Sequence, residues 1–173
     1  MTNIDLAALV RNVPDFPLPG IQFKDITTLV GNGPAFAQVI AAMADRYRGG
    51  GIDAVVGVES RGFIFSAPIA LELGVGLVPI RKPGKLPADT YQVEYKLEYG
   101  SNKLEIHRDA FAPGARVLVV DDLLATGGTI GAACKLIAQA GANVVELAFV
   151  IELAFLGGRA KLAPHPIFSL LTY

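Results

Sequence analysis

Two adjacent carboxylates, Asp121 and Asp122, precede a run of small and hydroxyl-bearing residues, Ala125-Thr126-Gly127-Gly128-Thr129. Small side chains let backbone N–H groups approach an anion, and Thr126 and Thr129 add hydroxyl donors. A helix starting there would aim its positive end at the same point. A 5′-phosphate fits such a cradle without any lysine. Adjacent carboxylates at a strand end point roughly opposite ways, which argues against a glycosidase pair. They suit instead the 2′- and 3′-hydroxyls of a ribose, directly or through a metal, and they favour positive charge on a sugar ring. The competing reading is a solvated turn followed by a glycine-rich helix entry. The full pattern, Val117–Val120, two acids, then Ala-Thr-Gly-Gly-Thr, favours the phosphate site. Gly84-Lys85 is followed by Leu86, so the G-x-x-x-x-G-K-[ST] loop is excluded, and no G-x-G-x-x-G follows a strand.

Ligands of open α/β sheets bind at the carboxyl ends of the strands, so this motif requires strands that end together. Ala54–Val58, Leu77–Ile80, Val117–Val120 and Val144–Val150 are short apolar runs, as strands buried on both faces should be, and Ile167–Leu171 follows as the last. Helices are expected over residues 2–11, from Pro34 to the Gly49–Gly51 stop, over Phe63–Leu73, and over Gly128–Ala140 with Ile130, Cys134 and Ile137 inward. Strands alternating with helices indicate a parallel α/β sheet. Val13–Gly20 is Pro-rich and irregular, and 21–25 is extended. Residues 81–107 are polar and hold Tyr91, Tyr95 and Tyr99, which suggests an excursion from the core as a mobile hairpin. Glu59-Ser60-Arg61-Gly62 is a second polar turn leading from a strand into a helix.

The 173 residues fit one domain with a full core, and 52% hydrophobic against 18% charged residues is a compact composition. A net charge of -1 with no basic run offers no nucleic-acid footprint. Cys134 is the single cysteine, so an internal disulfide is impossible; it reads as a small buried hydrophobe. The N-terminus lacks the pattern of a signal peptide, and no apolar stretch has membrane-spanning character. A cytoplasmic protein without membrane partners is the expectation.

Val117–Thr129 is similar to the 5-phosphoribosyl-1-pyrophosphate (PRPP) motif of the type I phosphoribosyltransferases. From Pro14 to Tyr173 the chain resembles the adenine phosphoribosyltransferase family. The carrying segments are Pro19–Ile26, Glu59–Phe63, Arg81–Pro87, Leu97–Gly100, Lys161–Pro164 and Phe168–Tyr173. The resemblance implies a parallel-sheet, Rossmann-like phosphoribosyltransferase fold in a single domain, 1–173. It also implies a small N-terminal hood over 1–33 and a flexible flap over 81–107. The implied reaction is adenine plus PRPP giving AMP and pyrophosphate, a purine-salvage step, in a homodimer. Magnesium is expected mainly through PRPP and pyrophosphate, with Asp121 or Asp122 reaching it through water.

Residue roles follow from the same resemblance. Ala125–Thr129 hold the 5′-phosphate, while Asp121 and Asp122 hold the ribose and stabilise its developing charge. Glu59, Ser60 and Arg61 form the pyrophosphate loop, in which the family usually has a cis peptide bond; Glu at 59 departs mildly from the more common Asp. Arg81, Lys82 and Lys85 form a basic cluster that reaches pyrophosphate, partly across a dimer interface, although a solvated turn would have the same composition. Phe23 and Leu153 pack on adenine while backbone groups of Gln22 and Lys24 read its edge; from residue type alone both apolar residues read as core. Glu98 and Tyr99 are flap residues near the reacting atoms, with Glu98 assigned to proton movement on the purine. His107 and His165 fall outside every motif and read as structural or surface residues. The alternatives are a phosphoribosyltransferase for hypoxanthine, guanine or xanthine, and a non-catalytic PRPP-binding regulator, for whose DNA-binding module the chain has no spare residues.

Overall fold

A computed structural model describes residues 4–96 and 101–173. Two compact units divide the chain, residues 1–42 and residues 43–173. In the first, a single 3-10 turn at Ala7–Leu9 leads into β1 (Arg11–Pro14), which pairs antiparallel with β2 (Gln22–Asp25). Of the helix expected over 2–11, the described residues form one turn and, from Arg11, a strand instead. Asp5 accepts the N–H groups of Ala7 and Ala8, which supports a turn. Pairing with β2 then takes the backbone of Arg11–Pro14, and Pro14 has no N–H with which to extend a helix. Asp25 closes the ladder. The Thr27 backbone N–H, followed by the Arg11 guanidinium, lowers its carboxyl to about 2. Thr27 opens the short helix α1 (Thr27–Val30). The next helix, α2 (Gly33–Tyr47), has Pro34 in its first turn and runs from one unit into the other. Val39 and Met43, one turn apart on one face, are wholly buried.

The second unit is a five-stranded parallel sheet. Its chain order is β3 (Ala54–Val58), α3 (Gly62–Leu73), β4 (Gly76–Ile80), a hairpin of β5 (Thr90–Lys96) and β6 (Ser101–His107), β7 (Arg116–Leu124), α4 (Gly128–Gln139), β8 (Asn143–Glu152), α5 (Gly158–Lys161) and β9 (Ile167–Thr172). In space the order is β4-β3-β7-β8-β9. The apolar runs of β3, β7 and β8 are the central strands, covered on both faces, which is why they lack polar alternation. The parallel α/β architecture expected from the sequence is the one found. Gly74 ends α3 in the left-handed conformation that its position predicts.

Two expectations need adjustment. β7 outlasts its apolar run: pairing with β8 continues through Asp121↔Phe149, Leu123↔Ile151 and Leu124↔Glu152. Asp121 and Asp122 thus lie within the strand, still just ahead of the loop, instead of following a strand that closes at Val120. The 81–107 segment is a hairpin, but its base is core rather than excursion. Leu104 and Ile106 are buried with Ile130, Ala133 and Ile137 of α4, and Tyr91, Val93 and Tyr95 pack against the same cluster. Alternation along β5 explains this, since Gln92 and Glu94 on the other face are exposed. Cys134, expected inward, is half-buried, and burial pushes its thiol up to about 11. If the hairpin base is core, Ile106→Ala should cost about 3 kcal/mol. Urea denaturation would show this as a lower midpoint at an unchanged slope.

Candidate active site

Parallel pairing of β3 with β7 matches Gly57 to Val120, so both strands end on the same side of the sheet. The turn after β3 and the acidic end of β7 therefore lie side by side. Together with the loop before α4 they line a cavity of about 430 Å³. Of the residues proposed from the sequence, Glu59, Ser60, Arg61, Lys82, Asp121, Asp122 and Ala125–Thr129 all line it.

The Ala125–Thr129 loop is built from bare backbone. Gly127 adopts φ +81, and no side chain caps α4 there, which leaves first-turn N–H groups available to an anion. The loop rests on Gly158 of α5. A Cβ on Gly158 would stand 2.1 Å from the carbonyl oxygen of Ala125, closer than any non-bonded contact allows. A Cβ on Gly127 would meet the Gly158 carbonyl oxygen at 2.9 Å. Gly158 is thus a supporting residue that the sequence reading missed, and the Gly157-Gly158 pair was its only signal.

The acidic pair is asymmetric. Asp122 is buried, and its carboxylate accepts a hydrogen bond from Arg61 Nε at 2.6 Å. The Asp121 carboxylate accepts the backbone N–H of Asp122 at 2.9 Å. Burial, and then the neighbouring Asp122 charge, pushes the Asp121 carboxyl well above the ordinary carboxylate range. This end of the cavity has a standing preference for a cation.

The Glu59–Ser60 peptide bond is cis, as the resemblance implied. The carboxylate of Glu59 turns toward the basic segment: it accepts the Lys82 backbone N–H at 2.9 Å and Arg81 Nε at 3.2 Å. The first of these, with Arg81 adding to it, lowers its pKa. Arg81 also donates from Nη1 to the Lys85 carbonyl at 3.3 Å, which folds the turn on itself. The buried Glu105 of β6 completes the arrangement, accepting the Gly84 N–H at 3.1 Å and Gln92 Nε2 at 2.8 Å. Glu105 was not among the expected site residues. A carboxylate between Leu104 and Ile106 was the available sign, because a buried charge needs partners.

The remaining candidates are placed as follows. Gln22, Phe23 and Lys24 are on β2 of the N-terminal unit, where Phe23 meets Phe16 edge to face at 5.1 Å. Leu153, in the other unit, is buried just after β8 and donates its N–H to the Leu124 carbonyl at 2.9 Å. Before it, buried Glu152 accepts Arg159 Nε at 2.9 Å and Ser169 Oγ at 2.6 Å, fixing the start of that loop. Glu98 and Tyr99 lie outside the described residues. His107 Nε2 accepts the Ala88 N–H at 3.4 Å, a structural contact in the hairpin.

A model of the phosphoribosyl transferase domain family matches residues 27–165. The chain is 72% identical over 173 residues to an adenine phosphoribosyltransferase of Chloroflexus aurantiacus, with each chain fully covered. Among solved structures, it is similar to an adenine phosphoribosyltransferase from Thermoanaerobacter pseudethanolicus, at 50% identity and a TM-score of 0.94 with 98% of each chain covered. It is also similar to the Saccharomyces cerevisiae adenine phosphoribosyltransferase complexed with adenine and an imino-altritol bisphosphate. There the identity is 43% and the TM-score 0.92, with 96% of this chain and 97% of that one covered. Five parallel strands, with a glycine-rich helix start beside an acidic pair, agree with these likenesses, and the chain belongs to the adenine phosphoribosyltransferase family.

Proposed function

We propose that this protein is a purine-salvage enzyme that transfers the 5-phosphoribosyl group of PRPP to N9 of adenine, giving AMP and pyrophosphate. The observation that carries the reading is the shared cavity. One opening holds an anion cradle at 125–129, an acidic pair at 121–122 and a second polar loop with Arg61. Those are the three demands of PRPP: a phosphate ester, a ribose that gains positive charge, and a dense anionic leaving group.

The residues divide the work. The amides and hydroxyls of Ala125–Thr129 anchor the 5′-phosphate, helped by the N-terminal end of α4. Asp121 and Asp122 bind the ribose hydroxyls and stabilise the oxocarbenium-like carbon as its bond to pyrophosphate loosens. The Ser60 loop and the forked donors of Arg61 meet the departing pyrophosphate, with Lys82 and Lys85 adding charge. Glu59 serves this indirectly by holding Arg81 and Lys82 in place. Among the described residues, no group of three or more His, Cys, Asp or Glu could hold a metal by itself. Asp121 and Asp122 beside pyrophosphate oxygens nonetheless suit magnesium, which commonly binds through one or two carboxylates plus substrate phosphates. When bound, it would neutralise charge on the pyrophosphate.

We assign the aromatic face of Phe23 to adenine, with backbone groups of Gln22 and Lys24 reading the 6-amino edge, as part of the hood over 1–33. Leu153 is assigned separately as an aliphatic surface for a flat base. A carbonyl facing the 6-oxo group of hypoxanthine would be left without a donor, which supports selection for adenine. Glu98 remains the proposed proton-moving group of the flap. The expected homodimer finds support in exposed apolar side chains, Ile64 and Leu71 of α3 and Leu77 of β4.

Three outcomes are expected. Incubated with PRPP, magnesium and each purine base in turn, the enzyme should release pyrophosphate with adenine in preference to hypoxanthine, guanine or xanthine; no release with adenine would sink the reading. Asp121→Asn should lose most activity yet melt higher than wild type at neutral pH. A carboxyl whose folded pKa is raised loses stability as pH rises above the ordinary carboxylate range, so the gap between variant and wild type should widen from pH 4 upward. Leu71→Glu should shift sedimentation from dimer toward monomer.

A further inference from the structure

Tyr91, Val93 and Tyr95 form the inward row of β5, and all three pack on the cluster that includes α4. Tyr95 ends that row, and its ring reaches the start of α4. Its hydroxyl lies 3.4 Å from Thr129 Oγ1, with Thr129 as the donor. Both side chains are half-buried. At that separation the contact is longer than a full hydroxyl–hydroxyl bond. Thr129 has a single hydroxyl proton, and in the proposed function that proton belongs to a phosphate oxygen.

We infer that Tyr95 is a positioning residue for the 5′-phosphate, acting through Thr129; this rests on the placement of that phosphate at 125–129. When an anion enters the cradle, Thr129 rotates its proton onto a phosphate oxygen, and its own oxygen becomes an acceptor. The Tyr95 hydroxyl then donates to it. The result is a chain of two hydrogen bonds, Tyr95 to Thr129 to phosphate, in which each bond polarises the next. The direction of the Tyr95–Thr129 bond reverses on binding, so the hairpin that carries Tyr95 is joined to the occupied cradle more firmly than to the empty one. Packing of the Tyr95 ring fixes where its hydroxyl can point, and loss of the hydroxyl alone leaves that packing intact. No proton leaves the site in this exchange; two hydroxyl rotors turn.

The test is calorimetric titration of ribose 5-phosphate, and separately of pyrophosphate, into wild type, Tyr95→Phe, Thr129→Val and the double variant. Tyr95→Phe should bind ribose 5-phosphate about five-fold more weakly, the worth of one hydrogen bond, and bind pyrophosphate as wild type does. The double variant should bind no more weakly than Thr129→Val alone, because the relay is already cut. In turnover, Tyr95→Phe should raise KM for PRPP while kcat stays within two-fold. Thr129→Ser keeps the hydroxyl, and adding Tyr95→Phe to it should again cost about five-fold. Equal binding of ribose 5-phosphate by wild type and Tyr95→Phe would overturn the relay alone, as would losses that simply add. Wild type that fails to bind ribose 5-phosphate at all would overturn the phosphate site and the relay together.

Discussion

The parallel ladder between β3 and β7 sets the spacing on which every other part of the site depends. Backbone hydrogen bonding fixes neighbouring strands at about 4.8 Å, and the match of Gly57 with Val120 brings the end of β3 beside Val120 and the carboxylates that follow it in β7. Two groups of opposite character are thereby held side by side. The turn after β3 presents donors and a guanidinium, and the end of β7 presents carboxylates. Neither could be placed so closely by loops alone, because loops settle wherever their own charges are best solvated. Arg61 on Asp122 is the local expression of this geometry: a charge pair that the sheet imposes and a substrate would have to reorganise.

Carboxylates do most of the holding. Glu59 fixes the backbone of Lys82, Glu105 fixes Gly84 and Gln92, and Glu152 fixes Arg159 and Ser169. Each is partly or wholly buried and pairs with donors that also need a place. Such pairs add little net stability, because desolvation offsets most of the attraction. Their value lies in orientation, since a carboxylate accepts several bonds at set angles and leaves its partners few alternatives. Asp121 is the exception, pressed against a like charge without a cation of its own strong enough to restore its ordinary pKa.

Much of this was legible in the sequence because it is written locally. Apolar runs without alternation marked the central strands, and Ala-Thr-Gly-Gly-Thr marked the loop that opens α4. What was not legible depends on partners distant in the chain. The apolar spacing of residues 2–11 suggests a helix, and only pairing with β2 makes Arg11–Pro14 a strand. The polar character of 81–107 hid the buried Leu104 and Ile106, because one face of a hairpin can be core while its composition reads as surface. Asp121 and Asp122, expected at a strand end, sit within β7, since the strand continues for as long as β8 offers a ladder. Gly158 and Tyr95 bear on the site only through contact with Ala125 and Thr129, and no spacing rule reaches across such separations.

The fit of Gly158 beneath Ala125 has a consequence for how such a site can be moved or inherited. The Asp121–Thr129 segment carries the carboxylates and the glycine-rich loop, but the shape of that loop is moulded by a glycine from the far side of β8. Transplanted alone onto another sheet, the segment would bring its donors without the seat that aims them. The unit of inheritance is therefore not the motif but the motif together with the turn after the next strand, and a chimera joined between them would have to preserve a bare Cα under a carbonyl oxygen.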